Sequence, residues 1–174
     1  LGRIMKEKGI DELFYAVRHL KKENENFVLD LVGFFEDEYK EQVKELEKHS
    51  IAHFYGFQSD PRPFYIEADC IVLPSYHEGM SNVILEAAAT GRPVITSNIP
   101  GCRESVENGK SGLLVEVKNK EMLYDAMKEM LHCSREEREQ MGQAGREKME
   151  REFRKEVVVE KTVQSLREDE KRDF

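Results

Sequence analysis

Two carboxylates and two cations in this chain are placed to grip a ligand that carries both phosphates and hydroxyls. Glu78 lies in a loop just before Gly79, and Glu86 follows eight positions later, in a stretch that reads as a helix. A helix start leaves backbone N–H groups unpaired beside the positive end of the helix dipole, so the turn Gly79-Met80-Ser81-Asn82 is a candidate anion site. Side chains on a helix tilt toward its N-terminus. Glu86, about one turn in, could therefore reach back and accept hydrogen bonds from a vicinal diol such as ribose, while Glu78 could accept from other hydroxyls. Near the chain start, Gly2 and Arg3 precede Lys8 and Gly9. Arginine grips phosphate bidentately, and lysine adds a point charge. A sugar nucleotide has the groups that this set could hold. The spacing equally allows two surface carboxylates favouring a helix N-terminus and two solvated cations on a charge-rich loop.

Such residues need a scaffold, and the apolar pattern supplies one. Leu1-Gly2-Arg3 resembles the tail of a strand. Ile10, Leu13, Phe14, Val17 and Leu20 recur at helical spacing, with Asp11 and Glu12 in the first turn and Lys21 and Lys22 in the last. Phe27–Gly33 reads as a strand buried on both faces, with Asp30 pointing out at an edge. Helical spacing of Tyr39, Val43 and Leu46 predicts a helix over 36–49, and residues 51–57 read as a strand. A turn at Asp60-Pro61 leads to a short helix over 64–68. The apolar run Cys70–Leu73, the loop and helix around Glu78 and Glu86, and the run Val94–Thr96 form strand, loop, helix, strand. Asn98 to Gly101 breaks the chain, and Leu113–Val115 is a further strand. The remainder is helical, with one apolar face at Met122, Ala126, Met127 and Met130 and a sparser one at Met141 and Met149. Val157, Val158, Val159, Val163 and Leu166 could dock a last helix on something, and the final eight residues are expected to fray. Strands alternating with helices predict an α/β domain: a Rossmann-like parallel sheet with helices on both faces and a helical C-terminal tail. Open sheets of this kind bind ligands beyond the carboxyl ends of their strands. The small Ala87-Ala88-Ala89 run predicts close packing of its helix on the sheet.

Composition excludes several classes. The 174 residues are 39% apolar and 36% charged, which suits a folded, well-solvated domain. The formal net charge of −8 disfavours nucleic acid as a partner for the surface as a whole. No apolar run approaches the ~20 residues that span a bilayer, and the first residues lack the pattern of a signal peptide. Cys70, Cys102 and Cys133 are scattered, with no C-x-x-C, and the histidines do not cluster, so no metal site is expected. Cys70 is expected as a buried small residue. A reducing, cytoplasmic setting suits this cysteine usage. Gly109-Lys110-Ser111 resembles the end of a phosphate-binding P-loop, but that motif requires glycine at position 104, which is Glu, and a helix where Leu113 begins a strand. A dinucleotide G-x-G-x-x-G and a G-x-S-x-G elbow are both missing.

Five stretches together resemble one family, the retaining nucleotide-sugar glycosyltransferases of the GT-B fold (group 1, family 4 type). They are Gly2-Arg3 with Lys8-Gly9, Ala68-Asp69 before Leu73-Pro74-Ser75, Glu78-Gly79 with Glu86-Ala87, Gly91 to Ile95, and Gly109 to Val115. The resemblance covers residues 1–132. It implies one half of a GT-B fold: a donor-binding domain over 1–132, its first strand truncated at Leu1, and a helical extension over 133–174. The acceptor-binding N-terminal domain is the implied partner. By resemblance, Arg3 and Lys8 hold the donor diphosphate, Gly2 lies beside them, Glu86 binds the ribose, and Glu78 contacts the transferred sugar. Backbone N–H groups of Gly79, Met80, Ser81 and Asn82 approach phosphate and sugar, and Phe57 borders the base pocket. Glu78, Arg3 and Lys8 form the expected catalytic set.

The implied reaction is sugar transfer from a nucleoside-diphosphate sugar, with UDP-sugars first among donors, to a saccharide or lipid-linked acceptor. No metal or other cofactor is expected. A membrane contact would come only through the missing half. An epimerase or phosphorylase of the same fold, and a non-catalytic nucleotide-binding domain, are the competing expectations. An epimerase would not need the two-acid pattern, and a phosphorylase would bring a cofactor lysine near the Gly79 turn.

Overall fold

Apolar residues at helical spacing and short runs of β-formers give alternating helices and strands in the computed structural model, which describes residues 1–170. The elements are α1 (Ile10–Lys22), β1 (Leu29–Val32), α2 (Lys40–Lys48), β2 (Ala52–Gly56), α3 (Arg62–Glu67), β3 (Ile71–Leu73), α4 (Asn82–Ala89), β4 (Val94–Ser97), β5 (Gly112–Val115), α5 (Lys120–His132), α6 (Arg135–Glu152) and α7 (Lys155–Glu170). All strand pairings are parallel, as the alternation requires. The strands form two sheets rather than one: β1-β2, and β3-β4-β5.

Successive strand residues feed opposite faces. Ile95 packs with Phe14, Leu20, Val43, Leu46 and Leu123 on the face carrying α1, α2 and α5. Val94 packs with Tyr65, Ile71, Leu73 and Ile84 on the face carrying α3 and α4. Helices thus cover both faces, with α6 laid over α4. That last contact rests on missing side chains. A Cβ at Gly142 would overlap the carbonyl oxygen of Gly91, and one at Gly145 would touch Ala88. Ala87 is buried in the cluster with Ile71, Leu73 and Val94, as the small-residue run predicts, whereas Ala88 is buried against Gly145 of α6 and Ala89 is exposed.

The helix predicted from Glu36 begins at Lys40. Residues 36–39 are held otherwise: the Glu36 N–H donates to the Ile4 carbonyl, and Asp37 accepts from the Lys6 N–H. Strands β1 and β2 are shorter than 27–33 and 51–57, with Phe27 and Phe57 outside them. Cys70 is only half-buried and lines a cavity instead of filling the core; burial of its thiol pushes the pKa up to about 12. Helix α6 opens on a capping box, Ser134 with Glu137. Along α7, Val158, Val159 and Val163 are exposed. The Leu166 side chain, and residues 171–174 of the end expected to fray, lie outside the described residues. Among the described residues no helix is long and apolar enough to cross a membrane, and no group of three metal-ligand side chains gathers.

Candidate functional site

Phe57 follows β2, and Glu78 to Glu86 follow β3, at the carboxyl ends where an open parallel sheet binds ligands; the segment of Gly2, Arg3 and Lys8 meets them there, with Ile4 bridged to Phe35 beyond β1. Two close main-chain approaches set their spacing. Gly9, at φ +70, packs so tightly on Pro74 that any Cβ would overlap the Pro74 carbonyl, so the turn after Lys8 sits on the loop that follows β3. Gly101, at φ +85, meets the carbonyl oxygens of Gly79 and Glu78 in the same way. Its own carbonyl accepts from the Ser81 N–H at 3.1 Å, and its N–H donates to Glu104 at 2.7 Å. The loop after β4 therefore props the Glu78–Asn82 turn from below.

At the centre, Lys8 Nζ donates to Glu78 Oε1 at 2.6 Å, and Ser75 Oγ donates to the same oxygen at 2.7 Å. Lys8 and Glu78 are 18% and 12% exposed, so water screens the pair only partly. Both donors fall on one carboxylate oxygen, which fixes the rotamer of Glu78. Tyr76 ties this loop to α1: its N–H donates to the Glu7 carbonyl, and its hydroxyl to both oxygens of Glu12. Burial and the Glu12 carboxylate push the Tyr76 phenol above its usual range. The Cys102 thiol is fully buried, and that burial raises its pKa; the charges of Glu78 and Lys8 act on it as well.

Ser75 was quoted in the sequence only as part of a strand-end motif. Its buried hydroxyl makes a charge-assisted bond, a kind that contributes roughly 1.5–3 kcal/mol. Ser75→Ala is therefore expected to lower the unfolding free energy by about 2 kcal/mol. Urea denaturation with an unchanged m-value checks this.

The other predicted residues take separate places. Glu86 is exposed on α4 near the buried Tyr65; burial first, and then the Glu86 carboxylate, lifts the Tyr65 phenol far above its usual range. Arg3 forms an exposed ion pair with Glu36, 2.9 Å apart, yet borders the same cavity as Lys8. Gly2 pairs its N–H with the Val32 carbonyl. Ser81 is buried and Asn82 exposed where α4 begins, and Met80 Sδ accepts from Ser105 Oγ at 3.7 Å. Gly79 has open space where a Cβ would be. Phe57 is 70% exposed beyond β2. The structure thus brings Lys8, Glu78, Ser75 and the Gly79 turn together, and leaves Arg3, Glu86 and Phe57 around them with other partners or none. Tyr65 and Gly101 left no chemical signal in the sequence beyond an aromatic residue in a short helix and a Pro-Gly turn.

Comparison with known proteins yields a consistent set of likenesses. Residues 1–148 match the family model of the glycosyl transferases group 1. CapM of Staphylococcus aureus, a capsular polysaccharide biosynthesis glycosyltransferase, is 30% identical over 163 residues, which is 92% of this chain and 43% of CapM. The crystal structure of the C-terminal domain of LpcC from Francisella tularensis, a glycosyl transferase group 1 family protein, superposes with a TM-score of 0.74 at 27% identity, covering 89% of this chain and 84% of that one. Anabaena HepE in complex with UDP superposes with a TM-score of 0.79 at 20% identity, over 96% of this chain and 48% of HepE. The chain spans about half the length of the curated relatives it matches first.

Proposed function

This chain belongs to the glycosyl transferases group 1, and we propose that it is the donor-binding half of a retaining enzyme that moves a sugar from a nucleoside-diphosphate sugar to a saccharide or lipid-linked acceptor. The observation that carries the reading is the knot of Lys8, Glu78 and Ser75 beneath the start of α4. It sets a cation, a carboxylate and unpaired helix-start N–H groups side by side, a match for a diphosphate joined to a hydroxyl-rich sugar. UDP-sugars are the first donors to test.

In this reading Lys8 turns from Glu78 to the diphosphate as the donor enters, joined by Arg3 once it leaves Glu36. Glu78, with Ser75 still donating to one oxygen, accepts from hydroxyls of the transferred sugar. Glu86, near Tyr65, accepts from the ribose diol. The bond from the anomeric carbon to the β-phosphate oxygen breaks. The acceptor oxygen bonds to the same face of that carbon, and its proton passes to the leaving phosphate. Lys8, Arg3 and the start of α4, rather than a metal, take up the developing charge. A double displacement needs a nucleophilic carboxylate on the opposite sugar face. Trapping a glycosyl–enzyme adduct on the full-length protein would overturn the same-face route. The acceptor domain lies in the remainder of the longer protein.

Binding tests the reading directly. Calorimetric titration of the full-length protein with UDP, GDP and ADP is expected to show millimolar or tighter binding of one nucleotide. Glu86→Ala is expected to weaken that binding by about tenfold or more, the worth of one or two hydrogen bonds to a charged acceptor. Absence of binding to all three, or equal affinity in the variant, would reject the assigned role.

A further inference from the structure

Both cations proposed to meet the diphosphate already hold a carboxylate. Arg3 Nη1 donates to both oxygens of Glu36, at 3.2 and 2.9 Å, and Lys8 Nζ donates to Glu78 at 2.6 Å. The two pairs differ in how readily they open. Arg3 and Glu36 are 49% and 42% exposed, so water takes the place of either partner at little cost. Lys8 and Glu78 are mostly covered, and neither main chain has room to retreat. Gly9 sits on the Pro74 carbonyl just after Lys8, and Gly101 abuts the carbonyls of Glu78 and Gly79.

The two oxygens of Glu78 are used unequally. Lys8 Nζ and the fully buried Ser75 hydroxyl both donate to Oε1, and Oε2 has no partner among the described residues. Among those residues the sealed, unpartnered side-chain atoms are Arg92 Nε and Ser97 Oγ, so Oε2 still reaches solvent. One oxygen is therefore held by the protein, and the other is open to a hydroxyl group. A covered carboxylate that loses its cation is left short of donors, which is costly. A diphosphate that arrives alone takes Lys8 and leaves Glu78 with Ser75. A diphosphate that carries a sugar takes Lys8 and supplies hydroxyls to Glu78 in exchange.

Resting on the donor-binding reading above, we propose that the Lys8–Glu78 pair is a latch that makes the site hold an intact nucleoside-diphosphate sugar in preference to the spent nucleoside diphosphate. The apparent affinity for a bare diphosphate is its intrinsic affinity reduced by the fraction of molecules in which Lys8 is free. The latch also acts after transfer. Once the sugar has left on the acceptor, Glu78 has lost its hydroxyl donors and recaptures Lys8, and the diphosphate loses its best-covered cation. Product release is thus driven by a competitor built into the site. Ser75 is a positioning residue here: it donates to Glu78 throughout and sets how far the carboxylate is stranded when Lys8 leaves.

Calorimetric titration of the full-length protein tests the latch, with whichever of UDP, GDP and ADP binds and with the glucose conjugate of that same diphosphate as probes. Glu78→Gln frees Lys8 while keeping the shape of the site. It is expected to tighten the bare diphosphate about tenfold and to change the glucose conjugate by less than about threefold, because hydroxyl bonds to a charged acceptor are lost as Lys8 is freed. In a Lys8→Gln background the same substitution is expected to tighten the diphosphate by less than about twofold. An equal gain in both backgrounds would mean plain repulsion between Glu78 and phosphate, and would overturn the latch. A diphosphate affinity unchanged or weakened by Glu78→Gln would overturn it too, as would an equal gain for both probes. Ser75→Ala gives a measurement that leaves both charges in place. It is expected to weaken the bare diphosphate about fivefold or more and the glucose conjugate less, since only the bare diphosphate leaves Glu78 without a side-chain donor. Equal weakening of the two probes would count against the latch. Failure of the wild type to bind any of the three diphosphates or their glucose conjugates would reject the donor-binding reading itself, and the latch with it.

Discussion

Lys8→Ala is expected to lower sugar transfer by the full-length protein by about 10²–10³-fold, the effect of removing one preorganised group that meets developing charge. The expected loss lies mainly in turnover, because in the proposed reaction the already charged diphosphate gains one further negative charge as the anomeric bond breaks. The substitution also strands Glu78, a carboxylate only 12% exposed that would keep Ser75 as its one side-chain donor among the described residues. Breaking a buried pair from one side costs about 3 kcal/mol or more, so lost activity has to be separated from lost stability. The double variant Lys8→Ala/Glu78→Gln separates the two. It removes the stranded charge and is expected to restore much of the stability while transfer stays at or below the single-variant rate. If stability and transfer recover together, Lys8 is structural. Addition of EDTA is expected to leave the wild-type rate unchanged; a chelation-sensitive rate would move the charge-neutralising role to a metal.

Gly101→Ala is expected to cost more than about 3 kcal/mol, well above the usual surface substitution. Two effects act together. The backbone at Gly101 has φ +85, which L residues rarely adopt, and the new Cβ would overlap the Gly79 carbonyl. Relief requires the Glu78–Gly79 segment to move, which also breaks the bond from the Ser81 N–H to the Gly101 carbonyl. Nucleotide-sugar transfer should fall further than stability alone accounts for, because the displaced turn carries Glu78 and the start of α4. Gly79→Ala is the control: position 79 has open space and no left-handed backbone, so its unfolding free energy should change by less than about 1 kcal/mol. Chemical denaturation of the two variants side by side decides the matter, and equal effects would mean that the close approach is not what holds the turn.

What the sequence made legible was local. The face of α1 could be read from the spacing of Ile10, Leu13, Phe14, Val17 and Leu20, all buried. The start of α4 beside Glu78 could be read because a loop between two short apolar runs admits few alternatives. Interactions between residues far apart in the chain were not legible. Lys8 and Glu78 were assigned to one ligand by resemblance, but nothing in either stretch indicated that they pair with each other. Glu36 was read as helical because Tyr39, Val43 and Leu46 keep a helical period, whereas the pull of Ile4 and Lys6 on residues 36 and 37 is tertiary. The same holds for the glycines. Gly101 reads as part of a chain break, and Gly142 carries no signal in the sequence, yet each is where two backbones touch. Cys70 reads as core filler because it opens an apolar run, whereas it lines a cavity.

Gly33 on Gly2 and Gly101 on Gly79 meet main chain to main chain, and Gly9 meets the Pro74 carbonyl first, with the proline ring beside it. A scaffold spaced in this way keeps its dimensions whichever side chains decorate it. Mutation can then exchange Met80, Asn82 or Phe57, the exposed residues proposed to border the donor, without touching the framework that aims them. On the proposed function, proteins built on this plan can drift to new donor sugars by small steps, with the burden of purifying selection falling on a handful of glycines.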